Sequence, residues 1–268
     1  MIQTSVIIAC VISLIICFAL PIGSLLFMSS RKHRIVRPFL VGALAFVLSQ
    51  VVTRIPLITF ILPTMNWYIR LSMDPVANGL FLGFTAGLFE EFGRFILISL
   101  VLKKNRRYVD GLAFGFGHGG IEAILITGVS LINLMVLFIS INSGTFDALM
   151  AKANTASANA VLQQCLAVTP LSMALAGIER ILAVGLHIGL TMIVLTGIKV
   201  GKPWRFLTAA IVLHMLIDAA AVILPSLTSI TTVGLELAVA AFTVPLIAYT
   251  VFVKKTYDRL DMKGETQE

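Results

Sequence analysis

Seven apolar runs, each about 20 residues or longer, divide this chain of 268 residues and constrain its fold more than any other feature. An α-helix rises 1.5 Å per residue, so about 20 apolar residues cross the ~30 Å of hydrocarbon in a bilayer. Only 12% of the residues are charged, which excludes an ordinary soluble domain. We predict an all-α polytopic transmembrane helical bundle of about seven spanning helices, forming one integral membrane domain over residues 1–268. The predicted spans are 4–28, 38–62, 77–102, 111–141, 171–198, 206–224 and 233–253.

Lysine and arginine residues cluster in alternate loops between these runs. Cytoplasmic loops retain positive charge, which predicts an outside N-terminus and a cytoplasmic tail at about 254–268. The opposite loops hold only Arg70 and Lys152. The basic loops account for the net charge of +7 without a nucleic acid partner, and anionic membrane lipid is the expected contact. The clustered residues are Arg31, Lys32, Arg34 and Arg37; Lys103, Lys104, Arg106 and Arg107; Lys199, Lys202 and Arg205; and Lys254, Lys255, Arg259 and Lys263.

The segment from Asn142 to Val168 is rich in alanine, asparagine and serine and lies outside the predicted spans. We predict a plain linker here, with a lid and an amphipathic surface helix as alternatives. Cys10 and Cys17 lie in the first span and Cys165 lies alone in this segment. Their spacing predicts neither a disulfide nor a cysteine metal motif.

Nine acidic or basic residues and three histidines lie inside the predicted spans. A charge that faced lipid unpaired at mid-membrane would cost about 2.5 to 3.5 kcal/mol on insertion scales. These side chains must therefore face the bundle interior and pair. They are Arg54, Glu90, Glu91, Arg94, Glu122, Glu179, Arg180, Asp218 and Glu236, with His118, His187 and His214.

Helical spacing and depth bring several of these side chains together. Couples four or seven residues apart share a helix face. Measured from the cytoplasmic helix ends at 1.5 Å per residue, Glu90 lies roughly 17 Å deep and the three histidines roughly 10 to 16 Å. They share one layer in the inner half of the membrane, whereas Glu179 lies nearer the outside. The couples are Glu90 with Arg94, His118 with Glu122, His214 with Asp218, and Arg180 with His187.

Three imidazoles and a carboxylate at one depth suit a catalytic zinc ion with one position left for water. The expected metal ligands are His118, His187 and His214. Glu90 or Glu91 would act as the general base. Asp218 would orient His214, complete the coordination or help to hold a polarised carbonyl. This chemistry fits hydrolysis of a peptide bond.

Structural roles compete with this interpretation at several positions. A single intramembrane histidine more often bonds one helix to another, although three at one depth favour a metal. Glu90 with Arg94 could form a structural ion pair. The charged residues interpreted as structural, or as lying near an interface, are Arg54, Glu236 and the Glu179–Arg180 pair. The glycines around His118, at positions 115, 117, 119 and 120, predict a close approach of helices.

These residues form motifs that resemble a superfamily of intramembrane metalloproteases. That superfamily includes type II CAAX prenyl endopeptidases, bacteriocin-processing enzymes and PrsW-type proteases. The resemblance covers residues 84 to 220 and is greatest to the YhfC branch. The motifs are Glu-Glu-x-x-Arg at Glu90–Arg94, Phe-x-x-x-His at Phe114–His118, His-x-x-x-Asn at His214–Asp218 with aspartate in the last place, and the YhfC-like run Gly117–Glu122 and pair Glu179–Arg180 with His187.

The resemblance implies a zinc-dependent endopeptidase in a bacterial cell membrane. Its substrate would be a membrane-embedded or membrane-proximal polypeptide that reaches a cavity in the inner half of the membrane. By this likeness Glu90 activates water, and His118 and His214 are the core ligands. An ionised Asp218 cannot donate a hydrogen bond, so the oxyanion role of the family's asparagine does not carry over. The remaining implied residues are Glu91 and Arg94 in the catalytic motif, His187 as a third ligand, and Glu122, Glu179 and Arg180 in support.

Two other functions fit parts of the pattern. The same superfamily resembles the multi-spanning scaffold subunit of gamma-secretase, but a scaffold has no use for the water-activating Glu90 and Glu91. A proton-coupled transporter would use buried histidines and carboxylates as relays, but the chain shows no inverted repeat or paired broken helices. The pattern specifies no oligomeric state.

Overall fold

The computed structural model describes residues 1–31 and 34–265, with side chains up to residue 260. Lys32 of the first basic cluster, the side chain of Lys263 and the last three residues of the predicted tail lie outside the described residues. Every regular element in the described ranges is helical, which confirms the all-α class.

Six helices in the described part of the chain are long and apolar enough to cross a membrane. A seventh, α4, forms over the predicted span 77–102; its 26 residues reach ~39 Å, but Glu90, Glu91 and Arg94 lower its apolar character. The polytopic helical bundle is thereby confirmed. The long helices are α1 (Thr4–Ser30), a second span over Val36–Thr64, α4 (Pro75–Leu100), a fourth over Tyr108–Ser143, α9 (Pro170–Lys199), α10 (Pro203–Leu227) and α11 (Thr232–Glu265).

Two of these long helices change their winding partway along. The second span consists of α2 (Val36–Phe46), π1 (Val47–Arg54), π2 (Leu57–Ile61) and a 3₁₀ turn at Leu62–Thr64. Pro56 lies between its two π segments and has no N–H to donate. The fourth consists of α5 (Tyr108–Glu122), π3 (Ala123–Gly128) and α6 (Val129–Ser143). Wider π turns often occur beside functional sites. Here π1 contains Gln50 and Arg54, and π3 begins directly after Glu122.

The prediction of a plain linker over 142–168 is wrong, because this segment contains two helices. They are α7 (Phe146–Leu149) and α8 (Thr155–Ala167), and a short α3 (Asn66–Ser72) lies elsewhere. Asn154 caps α8 by accepting a hydrogen bond from the Ser157 N–H at 2.8 Å. Cys165 is buried in one apolar cluster with Cys10 and Phe138. The alanines that suggested a linker are strong helix formers once a cap and a packing surface are present.

Glycines bring α5 close to its neighbours, as its sequence predicts. A Cβ atom at Gly42 would overlap the carbonyl oxygen of Phe114, and one at Gly117 would overlap that of Phe39. Gly119 likewise lies against the backbone of α9. His118 is therefore held between α2 and α9 at backbone contact distance.

Hydrogen bonds show which helix ends lie together. At one end, which we call the basic end, Arg37 donates to the carbonyl oxygen of Val101 at 2.9 Å. Lys199 lies 4.7 Å from the centroid of the Tyr257 ring at the same end. At the opposite end, the Ile2 N–H donates to Asn142 Oδ1 at 2.7 Å. The four lysine and arginine clusters of the sequence adjoin the helix ends at the basic end, apart from Lys32 and the side chain of Lys263, which lie outside the described residues.

Candidate metal centre

Glu90 joins three helices in the middle of the bundle. One of its carboxylate oxygens, Oε2, lies 2.8 Å from His118 Nε2 on α5. The other, Oε1, accepts a hydrogen bond from the side-chain amide of Gln50 on π1. Both carboxylate oxygens of this buried glutamate are therefore held by partners on other helices.

His187 on α9 uses both ring nitrogens. Its Nδ1 lies 3.0 Å from the guanidinium of Arg94, and its Nε2 lies 2.5 Å from Glu122 Oε2. A guanidinium only donates, so Nδ1 accepts and the Nε2–H donates to Glu122. The accepting Nδ1 also lies 3.9 Å from Glu90 Oε2, so the lone pair that accepts from Arg94 is the one that His187 would offer to an ion beside Glu90.

One donor atom each from Glu90, His118 and His187 lies within 4.8 Å of the other two, and all three residues are buried. A carboxylate oxygen with two imidazole nitrogens is the ligand set of many catalytic zinc sites. Glu122 supplies the outer carboxylate that typically orients a ligating histidine. The residues present therefore fit a bound metal ion.

His214 on α10 lies beside this donor group. Its Nδ1 is 2.8 Å from Glu91 Oε1. Its Nε2 is 3.9 Å from Glu90 Oε1 and 3.8 Å from Asp218 Oδ2. A carboxylate can only accept, so Nδ1 carries the proton, and Nε2 keeps its lone pair near Glu90 and Asp218, which line the same cavity as His214. The three predicted histidines thus converge, but Glu90 takes the place of His214 in the compact donor group.

The ion pairs mostly join residues on different helices. The predicted couple of His214 with Asp218 is present at 3.8 Å. Arg94, predicted to pair with Glu90, pairs instead with Glu91, three residues before it on α4. Glu122 reaches across to Arg180 at 2.9 Å. Close packing brings these neighbouring helices within the reach of one side chain, which spacing along a single helix does not reveal.

A cavity of about 330 Å³ adjoins the donor group. Glu179 lines this cavity and pairs with Arg180. Its predicted depth along α9 lies outside the layer of Glu90 and the three histidines. Arg54, which the sequence favours as structural, lines it too. The polar lining residues are Gln50, Arg54, Glu90, Glu122, Glu179, Arg180, His187, His214 and Asp218.

Gln50 is the site residue that the sequence analysis missed. It is 5% exposed and connects Glu90 to Arg54, which donates to Gln50 Oε1 at 3.1 Å. Arg54 also donates to Thr85 and to the carbonyl oxygen of Leu82. The signal was a glutamine four residues before an arginine in an apolar span. A search confined to charges and histidines passes over an amide.

Comparison with known proteins identifies the family of this chain. The family model of the YhfC intramembrane metalloprotease matches residues 16–239. The membrane protein YhfC of Bacillus subtilis (strain 168) is 37% identical over 209 residues, covering 78% of this chain and 81% of that protein. No solved structure gives a significant match. The chain belongs to the YhfC intramembrane metalloprotease family.

Proposed function

We propose that this protein is a zinc-dependent intramembrane endopeptidase that hydrolyses a peptide bond of a membrane-associated polypeptide. The observation that carries the proposal is the buried group of Glu90, His118 and His187, whose donor atoms lie within 4.8 Å of one another beside a polar cavity. Ionisable groups are rare inside a membrane bundle and mark functional sites there, and this set combines the carboxylate and imidazole donors of a catalytic metal site.

Glu90, His118 and His187 would hold the ion, and their mixture of nitrogen and oxygen donors favours zinc. When bound, the ion supplies Lewis-acid activation of the attacking water and of the scissile carbonyl. Gln50 and Glu122 would hold Glu90 and His187 in the orientation that binding needs.

The proton transfers belong to His214. Glu91 fixes its tautomer at 2.8 Å, so Nε2 keeps its lone pair and can take a proton from water and return it to the leaving nitrogen. Asp218, 3.8 Å from that Nε2, stabilises the imidazolium between the two transfers. Arg94 balances the charge of Glu91 in the buried site. This assignment differs from the role that the resemblance gives to Glu90, because Glu90 belongs to the donor group that would hold the ion.

The scaffold and transporter alternatives are not favoured, since the family match and the compact donor group both point to a metal-dependent hydrolase. We place the protein in a bacterial cell membrane, in contact with lipid. Its clusters of lysine and arginine favour an outside N-terminus and a cytoplasmic C-terminus.

Two measurements on detergent-purified protein and expressing cells test this function. Elemental mass spectrometry should find about one zinc per chain in the wild type and a loss of zinc in His118→Ala and His187→Ala. Profiling of new N-termini in membranes should find cleaved polypeptides with the wild type that disappear with His214→Ala. Monodisperse wild type that contains no metal after zinc is supplied, or cleavage unchanged in His214→Ala, would overturn the proposal.

A further inference from the structure

We propose that the candidate metal centre is reached from the end of the bundle opposite the basic loops, so that its substrate presents the scissile bond in the extracytoplasmic half of the membrane. This inference rests on the proposed function and names the side from which its substrate arrives. It replaces the expected approach through the inner half of the membrane.

The first support is the position of the cavity relative to the donor group. Contacts such as Arg37 with Val101 and Arg54 with Leu82 show that the second span and α4 run in opposite directions. The second span, α5 and α10 begin at the basic end, whereas α9 ends there. On each of these helices the cavity extends from the cluster towards the opposite end. The residues are Arg54 and Ile55 after Gln50; Glu122 and Ile126 after His118; Glu179, Arg180 and Ala183 before His187; and Asp218 and Ala221 after His214.

The second support is a gradient of exposure in the same direction. The side chains of Arg94 and His118 are 0% exposed. The side chain of Glu122, one turn further along, is 17% exposed. Those of Asp218, one turn beyond His214, and Glu179, about two turns before His187, reach 39% and 40%, while Arg180 between Glu122 and Glu179 stays at 9%. Accessibility therefore rises from the donor group towards the opposite end.

The third support is the packing beneath the centre, on the side of the basic end. Phe46 forms the floor of the cavity and packs edge-on against His118 with ring centroids 5.6 Å apart. Below it lies the largest apolar cluster of the described residues, which connects helix segments near the basic end. Its most deeply buried members include Phe114, Leu190, Met192, Leu195, Ala210 and Tyr257. This layer closes the route from that side.

The distribution of lysine and arginine between the loops indicates which side of the membrane the open end of the cavity faces. Basic loops stay in the cytoplasm, and the opposite loops hold only Arg70 and Lys152. The open end of the cavity is therefore extracytoplasmic. A polypeptide that crosses the membrane, or one exported and still anchored to it, can present an extended segment there. A segment confined to the cytoplasm cannot.

Labelling with a membrane-impermeant maleimide tests this access without requiring catalysis. The native thiols at positions 10, 17 and 165 are buried, and burial raises the pKa of the Cys165 thiol, so the wild type serves as an unlabelled background. The single variants Ala221→Cys and Ala210→Cys each place a thiol on α10. Ala221 lies on the side of His214 towards the opposite end, and Ala210 lies on the side towards the basic end. Lys152→Cys and Lys103→Cys report the two sides of the membrane.

In intact cells we expect Ala221→Cys to be labelled at a rate within about ten-fold of Lys152→Cys, with Ala210→Cys and Lys103→Cys protected. Ala183→Cys on α9 repeats the test if Ala221→Cys does not fold. The inference would be overturned if the two cavity positions, Ala221→Cys and Ala183→Cys, were labelled only after the cells are opened. It would also be overturned if neither were labelled while Lys152→Cys reacts. Labelling of Lys103→Cys in place of Lys152→Cys would overturn it as well. Zinc content, measured separately, decides the proposed function whichever way the labelling turns out.

Discussion

His214 Nδ1 lies 2.8 Å from Glu91 Oε1, whereas the adjacent Glu90 carboxylate contacts His118 and Gln50. Two neighbouring glutamates of one motif therefore have different partners. Glu90 belongs to the donor group, and Glu91 holds the imidazole that we assign to proton transfer. Their isosteric amide variants should consequently fail in different ways.

Glu90→Gln should lower zinc affinity by more than about ten-fold, since it removes a charged ligand and loss of an outer-shell partner alone costs that much. Glu91→Gln should keep its zinc and lose cleavage by about 10²-fold or more, the size of a general acid–base contribution. Chelator competition measures zinc affinity in purified protein that elutes as one species. Profiling of new N-termini in membranes measures cleavage. A loss of zinc in Glu91→Gln equal to that in Glu90→Gln would refute the division of roles.

Gln50→Ala removes the amide that donates to Glu90 and the oxygen that accepts from Arg54. Glu90 would then rotate more freely, and we expect zinc affinity to fall about ten-fold. Thr53→Ala is the matched control, because the Thr53 hydroxyl bonds only to main-chain oxygens of its own helix. The same chelator titration measures both variants. Equal affinities for Gln50→Ala and wild type would show that the glutamine does not position Glu90.

Glu122→Gln weakens the acceptor for His187 Nε2–H and removes a charge that faces Arg180. We expect zinc affinity to fall by about 10-fold, because a neutral amide oxygen orients and polarises the imidazole less than a carboxylate does. Glu179→Gln provides the comparison, since that carboxylate also contacts Arg180 but is 40% exposed and further from His187. Zinc affinity measured for both variants should be lower in Glu122→Gln than in Glu179→Gln. A larger loss in Glu179→Gln would contradict the assignment of Glu122 as the orienting carboxylate.

The helices and the convergence of Glu90, His118, His187 and His214 follow from the sequence. Apolar runs give helix positions, and distance along a helix from a charged end gives depth. Both quantities depend on the chain locally, so no tertiary information is needed to obtain them. The family motifs add the same residues independently.

The partners of these residues do not follow from the sequence. Depth is one coordinate, whereas the rotation of each helix about its axis decides whether Glu122 meets His118 or His187. The π turns of π1 and π3 change that rotation partway along a span, and no residue pattern signals them. Gln50 escaped notice because only charges and histidines were sought inside the spans, although an unpaired amide in an apolar medium also costs about 2 to 7 kcal/mol.

Gly117→Ala tests whether close helix approach builds the centre. A methyl group there would overlap the carbonyl oxygen of Phe39, and a backbone atom cannot move aside as a flexible side chain can. The added methyl should separate α2 from α5, displace the adjacent His118 and destabilise the fold by about 1 to 3 kcal/mol, as overpacking does. Gly23→Ala on α1 is the control, because nothing lies within 4 Å of its added methyl. That change should leave stability unchanged or raise it by up to about 1 kcal/mol. Thermal unfolding in detergent should show a lower midpoint for Gly117→Ala alone, together with weaker zinc binding. A Gly117→Ala protein that melts and binds zinc like the wild type would mean that the α2–α5 contact does not hold His118 in place.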